Sequence, residues 1–361
     1  MLVPFSLQQK LEQFIRPEEP ALRIDKPLLF FLHKLIKSMN KCTGIDISKQ
    51  TFDCSITMEN GEIITRKLSN NLKGFEKLKK ILPTESHVIM EASGPYYFKL
   101  ATYLHSEEIN VSVVNPLVIR RFCQMRMIRT KTDRKDAAMI REYGITEKPS
   151  LWQPDEKNIT KLKQLNAAIE LMDKSITASS NQLEAFEAMP DTDPVLIKKL
   201  KKLMEYNAKA KDKLEEEMYQ VTSENYSATY KALQTIPGIG PKSASIIIAI
   251  TGNFKKFKNY KQLIAYVGLN PRIFESGTSV KGRGHICKMG TARLRKLLYL
   301  CSWSAKRHNQ YCKEMYERLK AKAKPERVIK IAIACKLLRQ AFAVGFKQTS
   351  FENNYQKSLG I

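Results

Sequence analysis

Short alternating runs give way along this chain to long stretches with helical spacing. From Lys41 the sequence CTGIDISKQTFDCSITMENGEIITRKLSN alternates in short runs around Asn60-Gly61, which predicts a strand hairpin turning at that pair. A helix near Gly74 to Ile81, a strand from His87 to Ala92, a helix after Gly94-Pro95 and a strand from Val111 to Pro116 follow. This order predicts an α/β layer, a sheet covered by helices, over residues 39–150.

From Asp155 to Lys231 glycine is absent, and apolar residues fall at Ile159, Leu162, Leu165, Ile169, Met172 and Ile176, as in a helical seam. The break from Met189 to Pro194 turns the chain, and a second helix runs through Leu200, Leu203, Leu214 and Met218. Residues 151–232 therefore read as an antiparallel coiled-coil linker, serving as a spacer or for oligomerisation. Residues 233–361 read as mostly helical. They open on LQTIPGIGPKSASIIIAITG, where Gly238-Ile239-Gly240 between apolar helical stretches fits a helix-hairpin-helix. Backbone amides there, with Lys242 beside them, would hold phosphate without reading sequence; a plain glycine turn is the alternative.

Residues 1–38 lack the charged, apolar and small-residue segments of a signal peptide, and PLLFFLHKLI (27–36) is too short to span a membrane. Met39 stands just before the first strand, so the leader reads either as not part of the native protein or as a short amphipathic helix on the body.

Charge narrows the function. With 61 Lys and Arg against 36 Asp and Glu the net charge is +25, which suits a polyphosphate partner; without a long apolar run, nucleic acid fits better than a membrane. From Phe254 to Lys347 there are 23 Lys and Arg but four acids, so the nucleic-acid face lies there. The seven cysteines are scattered without a CxxC pair and there are five histidines, which argues against zinc and for reduced thiols in a cytoplasm.

Four acids carry the candidate chemistry. In GIDIS, Ile45 and Ile47 point to one face of a strand and Asp46 to the other; Glu91 ends the apolar strand VIMEA. Both are expensive places for an unpartnered charge. Asp133 and Asp136, three residues apart, share a face if TKTDRKDA is helical. Oxygen ligands of this kind suit Mg²⁺, with Mn²⁺ as the alternative, at a site acting on phosphodiesters. The second candidate is the Gly-rich, cationic stretch from Leu269 to Arg295, which holds Ser276, Ser279 and one acid, Glu275. Arg272, Lys281, Arg283, Lys288, Arg293 and Arg295 supply its charge. Either serine could bind or attack phosphate.

The GIDISK strand, MEASGPY, TKTDRKDA, PGIGPKSA and GLNPRIFESGTSVKGRGHICKMGTARLRKLL occur in the order seen in the DEDD transposases of bacterial insertion sequences, relatives of the Piv DNA invertase, which the chain resembles from Met39 onward. The resemblance implies a RuvC-like (RNase H-like) N-terminal domain, a coiled-coil middle and a C-terminal transposase domain. Asp46, Glu91, Asp133 and Asp136 match the metal-binding tetrad, and Ser276-Gly277 fits the frame of the nucleophilic serine. It further implies cleavage and rejoining of donor and target DNA in the bacterial nucleoid by a dimer or tetramer, and in several members guidance by an element-encoded bridge RNA. A junction-resolving nuclease using water and a non-catalytic architectural protein are the alternatives.

Overall fold

The computed structural model describes residues 41–128, 132–272, 275–276, 280–281 and 284–352, the two short pairs by backbone alone. The leader, Ser279 and Arg283 lie outside the described residues. The chain forms two compact units, one ending at Pro154 and the other beginning at Asp155.

In the first unit the order is β1 (Cys42–Ile47), β2 (Thr51–Thr57), β3 (Ile63–Ser69), α1 (Leu72–Ile81), β4 (His87–Glu91), α2 (Tyr97–Ser106), β5 (Asn110–Val114), α3 (Pro116–Met125) and α4 (Asp133–Glu147). The sheet runs β3-β2-β1-β4-β5. Its first three strands are antiparallel neighbours, and β1, β4 and β5 are parallel. The hairpin turns where Asn60-Gly61 predicted: Gly61 takes a positive φ of 87°, and Glu62 N–H donates to Asn60 Oδ1 at 3.0 Å. Alternation then sorts the side chains. Ile45, Ile47, Phe52, Cys54, Ile56, Val88 and Met90 pack with Phe75 and Leu78 of α1 and Leu100 and Leu104 of α2. The opposite face has a smaller apolar patch, Cys42, Ile89 and Val114 against Ile119 of α3 and Ile140 of α4. Polar side chains occupy much of the rest of it, and the site lies there.

In the second unit α5 (Lys157–Glu187) and α6 (Pro194–Asn225) pack side by side. Asp193 caps α6, accepting from Val195 N–H at 2.8 Å with Pro194 in the first turn. Ile159, Leu162, Leu165 and Ile169 of α5 are buried in the same core as the helices that follow. Farther along the pair, buried positions go to Asn207 and Ser179, while Leu203, from the apolar run of the second helix, stays 47% exposed. After these come α7 (Ser227–Gln234), α8 (Pro241–Thr251), α9 (Tyr260–Val267), α10 (Ala292–His308), α11 (Gln310–Ala321) and α12 (Glu326–Lys347). Helix α8 is apolar all round because α5, α6, α7 and α10 pack on it from several sides. Among the described residues, no helix is long and apolar enough to cross a membrane.

Between α9 and α10 the sequence reads as a loop, yet the backbone forms two short antiparallel ladders. β6 (Pro271–Arg272) pairs with β9 (His285–Ile286), and β7 (Glu275–Ser276) pairs with β8 (Val280–Lys281).

Candidate active site

The polar face of the first sheet gathers acids from three elements. Asp46 stands on β1 opposite Asp53 of β2 in the antiparallel register. Glu91 ends β4, half-buried, and accepts from Ser93 Oγ–H at 3.1 Å. Asp133 and Asp136 occupy the first turn of α4, where the positive end of the helix dipole favours them, and Thr132 caps that turn. Burial first, and then the charges of Asp136, Glu91, Asp133 and Asp53, push the Asp46 carboxyl up to about 6. The charges of the other three acids read from the sequence, and of Asp53 with them, thus all bear on Asp46.

The sequence did not single out Asp53 or Lys67. Asp53 is buried, and Lys67 of β3 lies 3.4 Å from it and 3.9 Å from Asp133, so one ammonium spans two carboxylates. Asp53 follows the same logic as Glu91, a charge inside an apolar strand, and that signal was available. Arg141 of α4 was also missed. It donates from Nε to Ser55 Oγ at 3.1 Å and from Nη1 to Thr57 Oγ1 at 3.0 Å, tying α4 to β2.

Gly44 is what lets α4 approach. It shares a strand face with Asp46, and a Cβ there would sit 2.2 Å from both the Ala137 carbonyl oxygen and the Arg141 nitrogen. Any side chain at this position must push the helix backbone, and with it Asp133 and Asp136, off the sheet. Gly44→Ala is expected to lower unfolding free energy by about 1–3 kcal/mol, read from urea titration. An unchanged midpoint would show that the helix has room to spare.

In the second unit Ser276 lies in β7, with Val280 as its ladder partner. The base of this hairpin is held by backbone. Cys287 N–H donates to the Asn270 carbonyl at 2.8 Å and Lys288 N–H to the Gly268 carbonyl at 3.1 Å. Gly290, at a φ of 125°, packs so closely that a Cβ would meet the Tyr266 carbonyl at 2.0 Å. Arg272 is exposed on β6, Lys281 belongs to β8, and Lys288 is exposed beyond β9. Arg295 donates to the Val267 carbonyl at 2.7 Å. Two more of the sequence-predicted cations are engaged inside the unit, by ion pairs: Lys242 with Glu215 at 2.5 Å, and Arg293 with Glu170 at 2.8 Å. Gly238, at a φ of 104°, lies against Ala305 of α10 in the turn before α8, and Gly240 caps α8 with open space around it.

Comparison with known proteins decides the family. Residues 43–186 match the DEDD-type IS110 family described as "Transposase", and residues 230–317 match the "Transposase IS116/IS110/IS902 family". The "Pilin gene-inverting protein" of Moraxella lacunata is 33% identical over 316 residues, covering 83% of this chain and 94% of that protein. The chain belongs to the DEDD-type IS110 family of transposases. The "Pilin gene-inverting protein" of Moraxella bovis is 32% identical with the same coverage. The "Transposase for insertion sequence element IS1328" of Yersinia enterocolitica is 25% identical over 72% of this chain and 82% of its own. As an IS110-family transposase, the protein is an enzyme of transposition and DNA recombination, and DNA is its partner. The first matched segment contains all four carboxylates and the second contains Ser276.

Transposases of the DEDD type typically use divalent metal ions. The carboxylates fit such an ion in donor chemistry, being hard oxygen ligands, and a cation would relieve the repulsion that falls on Asp46. Among the described residues, no three acid, imidazole or thiol side chains are already drawn together tightly enough to hold one.

Proposed function

We propose that this transposase cleaves and rejoins DNA through a covalent phosphoserine at Ser276, with Mg²⁺, or Mn²⁺ in its place, held by Asp46, Glu91, Asp133 and Asp136. The observation that carries this reading is the convergence on Asp46 of four other acids' charges, those of Asp136, Glu91, Asp133 and Asp53. Such a cluster is costly to the fold and has a use when a cation binds. A bound divalent ion would polarise the phosphodiester and favour loss of the attacking hydroxyl's proton.

The protein's own groups do the rest. The Ser276 hydroxyl loses its proton as its oxygen bonds to phosphorus, and the phosphorus–oxygen bond to one deoxyribose breaks, that oxygen leaving protonated. The bond energy is kept in the phosphoserine, so a hydroxyl on a new strand can reverse the step without ATP. Arg272, Lys281, Arg283 and Lys288 offset charge on the pentavalent intermediate, and Arg295 steadies the strand. The first unit acts as a RuvC-like domain, and the Gly238–Gly240 turn as a helix-hairpin-helix touching backbone phosphate, with Lys242 and Arg293 at its margin. The long helix pair serves as a coiled coil for homo-oligomerisation, as dimer or tetramer; Leu171 and Tyr206, 58% and 71% exposed on it, support that role. An element-encoded bridge RNA selects donor and target DNA in the nucleoid.

The test is a covalent adduct. Purified protein, Mg²⁺, element-end DNA and RNA transcribed from the element's non-coding end are incubated, denatured and digested. A nucleotide-bearing peptide containing Ser276 is the expected product. Cleavage with no adduct, or an adduct on another residue, overturns the serine mechanism.

A further inference from the structure

Helices α10 and α12 enclose a groove that shares Lys288 and Arg295 with the basic stretch around Ser276 but also carries Lys296, Arg327 and Tyr299, to which the serine chemistry gives no part. Its cavity, about 510 Å³, is lined by Lys288, Arg295, Lys296, Arg327 and Tyr299, over an aliphatic floor that includes Ile331. No acid lines it. Among the described residues, no carboxylate makes an ion pair with any of those four cations, although many of the chain's other lysines and arginines have one. Four cations without a carboxylate partner, one of them, Arg295, hydrogen-bonded to the Val267 carbonyl, line the same groove as Tyr299 and form a site for an anion with a flat apolar part.

A second aromatic stands on the same helix, one turn beyond the groove's lining. Trp303 follows Tyr299 by four residues and so lies on the same side of α10. It is 46% exposed, and the Lys330 ammonium of α12 sits 3.2 Å from its ring centroid. Lys330 is itself buried and paired with Glu326 at 3.3 Å, so this cation is fixed beneath the ring. Lys306 stands 5.5 Å from the same ring. Large aromatics that serve only packing are normally covered; here Trp303 is exposed and Tyr299 half-buried along one stripe, beside Lys306 and Lys330, which share Glu326 as their ion-pair partner.

We propose that this groove binds an unpaired stretch of nucleic acid, with Tyr299 and Trp303 stacking on successive bases and Lys288, Lys296 and Arg327 holding the phosphates. An unpaired strand fits because its base faces are free, whereas a duplex buries them between neighbouring pairs. A protein partner would have to be acidic and would gain little from the stacking faces. The proposal rests on the reading of the chain as a nucleic-acid enzyme, but not on Ser276 or on metal.

The experiment uses the full chain in EDTA, so cleavage plays no part. Binding of labelled oligo(dT), oligo(U) and a DNA duplex, each about 16 nucleotides long, is measured by fluorescence anisotropy. Tyr299→Ala and Trp303→Ala are each expected to weaken both single strands about fivefold to a hundredfold and to leave the duplex within about twofold. Tyr299→Phe, which keeps the ring, retains the affinity. Lys296→Gln with Arg327→Gln weakens single strand and duplex alike. Because the chain has two tryptophans, Trp152→Phe leaves Trp303 as the emitter, and its fluorescence is quenched as oligonucleotide binds. Tighter binding of oligo(dT) assigns the groove to a separated DNA strand, and tighter binding of oligo(U) assigns it to RNA. Single-strand affinity that survives both alanine changes, or Trp303 emission that stays constant through saturation, overturns the proposal. The emission readout decides the matter even if an alanine variant fails to fold. Loss of the serine mechanism would leave all of these binding results unchanged.

Discussion

Ser276→Ala is expected to lower DNA strand cleavage by at least about a thousandfold and to abolish the denaturation-resistant adduct. Removing a nucleophile that forms the covalent intermediate leaves only the background attack of water, and losses of that size or more follow in enzymes that depend on one. Ser276 lies in a two-residue strand paired to Val280, and the hairpin base is held by backbone hydrogen bonds and Gly290, so deleting one hydroxyl should leave the fold unchanged. Binding of DNA in EDTA should stay within about twofold, since the cations are untouched. Cleavage at the wild-type rate in this variant would instead favour a RuvC-like nuclease that uses water. Ser279→Ala is the companion control and is expected to keep the adduct.

Asp46→Asn is expected to lower cleavage by about a thousandfold while making the protein more stable in metal-free buffer at neutral pH. The folded protein raises the Asp46 carboxyl from 3.8 to about 6, so the fold binds that proton more tightly than the unfolded chain does. The group therefore lowers stability progressively as pH rises through this window, and the full penalty is present above it. With allowance for solvent screening at a half-buried group, the penalty is about 1–2 kcal/mol. Asparagine has no charge to repel, so the variant should melt a few degrees higher at pH 7.5 in EDTA, and the gain should shrink towards pH 4. Mg²⁺ should raise the melting temperature of the wild type more than that of the variant. A variant that melts lower at pH 7.5, or cleaves normally, would remove Asp46 from the metal site.

Much of this was legible in the sequence because the deciding signals are local. Period-two alternation marked the strands, Asn60-Gly61 marked the hairpin, and three-and-four spacing marked α5 and α6. Asp46 and Glu91 were visible as charges in costly places. What could not be read depends on distant partners. Gly44 is decisive only because Ala137 and Arg141 lie over it, and nothing within β1 announces a helix some ninety residues further on. Lys242 and Arg293 look in sequence like the other cations of the basic region. Glu215 and Glu170, which engage them, lie on helices of a different stretch. The ladders around Ser276 have two residues per strand, too few to show a period. Asp53 was as legible as Glu91, since both are charges set in an apolar strand.

The order of the acids along the chain also governs synthesis. β1, β2 and β3 are sequential and pair by short connections, so they can associate while the chain is still emerging from the ribosome. Asp136 arrives ninety residues after Asp46, and Ser276 a further 140 residues later. A nascent transposase therefore carries a partly built sheet before it carries a complete set of carboxylates, and carboxylates before it carries the serine. Truncated products that end before α4 lack Asp133 and Asp136, and those that end before β7 lack the serine, so an interrupted round of translation leaves a protein without the full cutting apparatus.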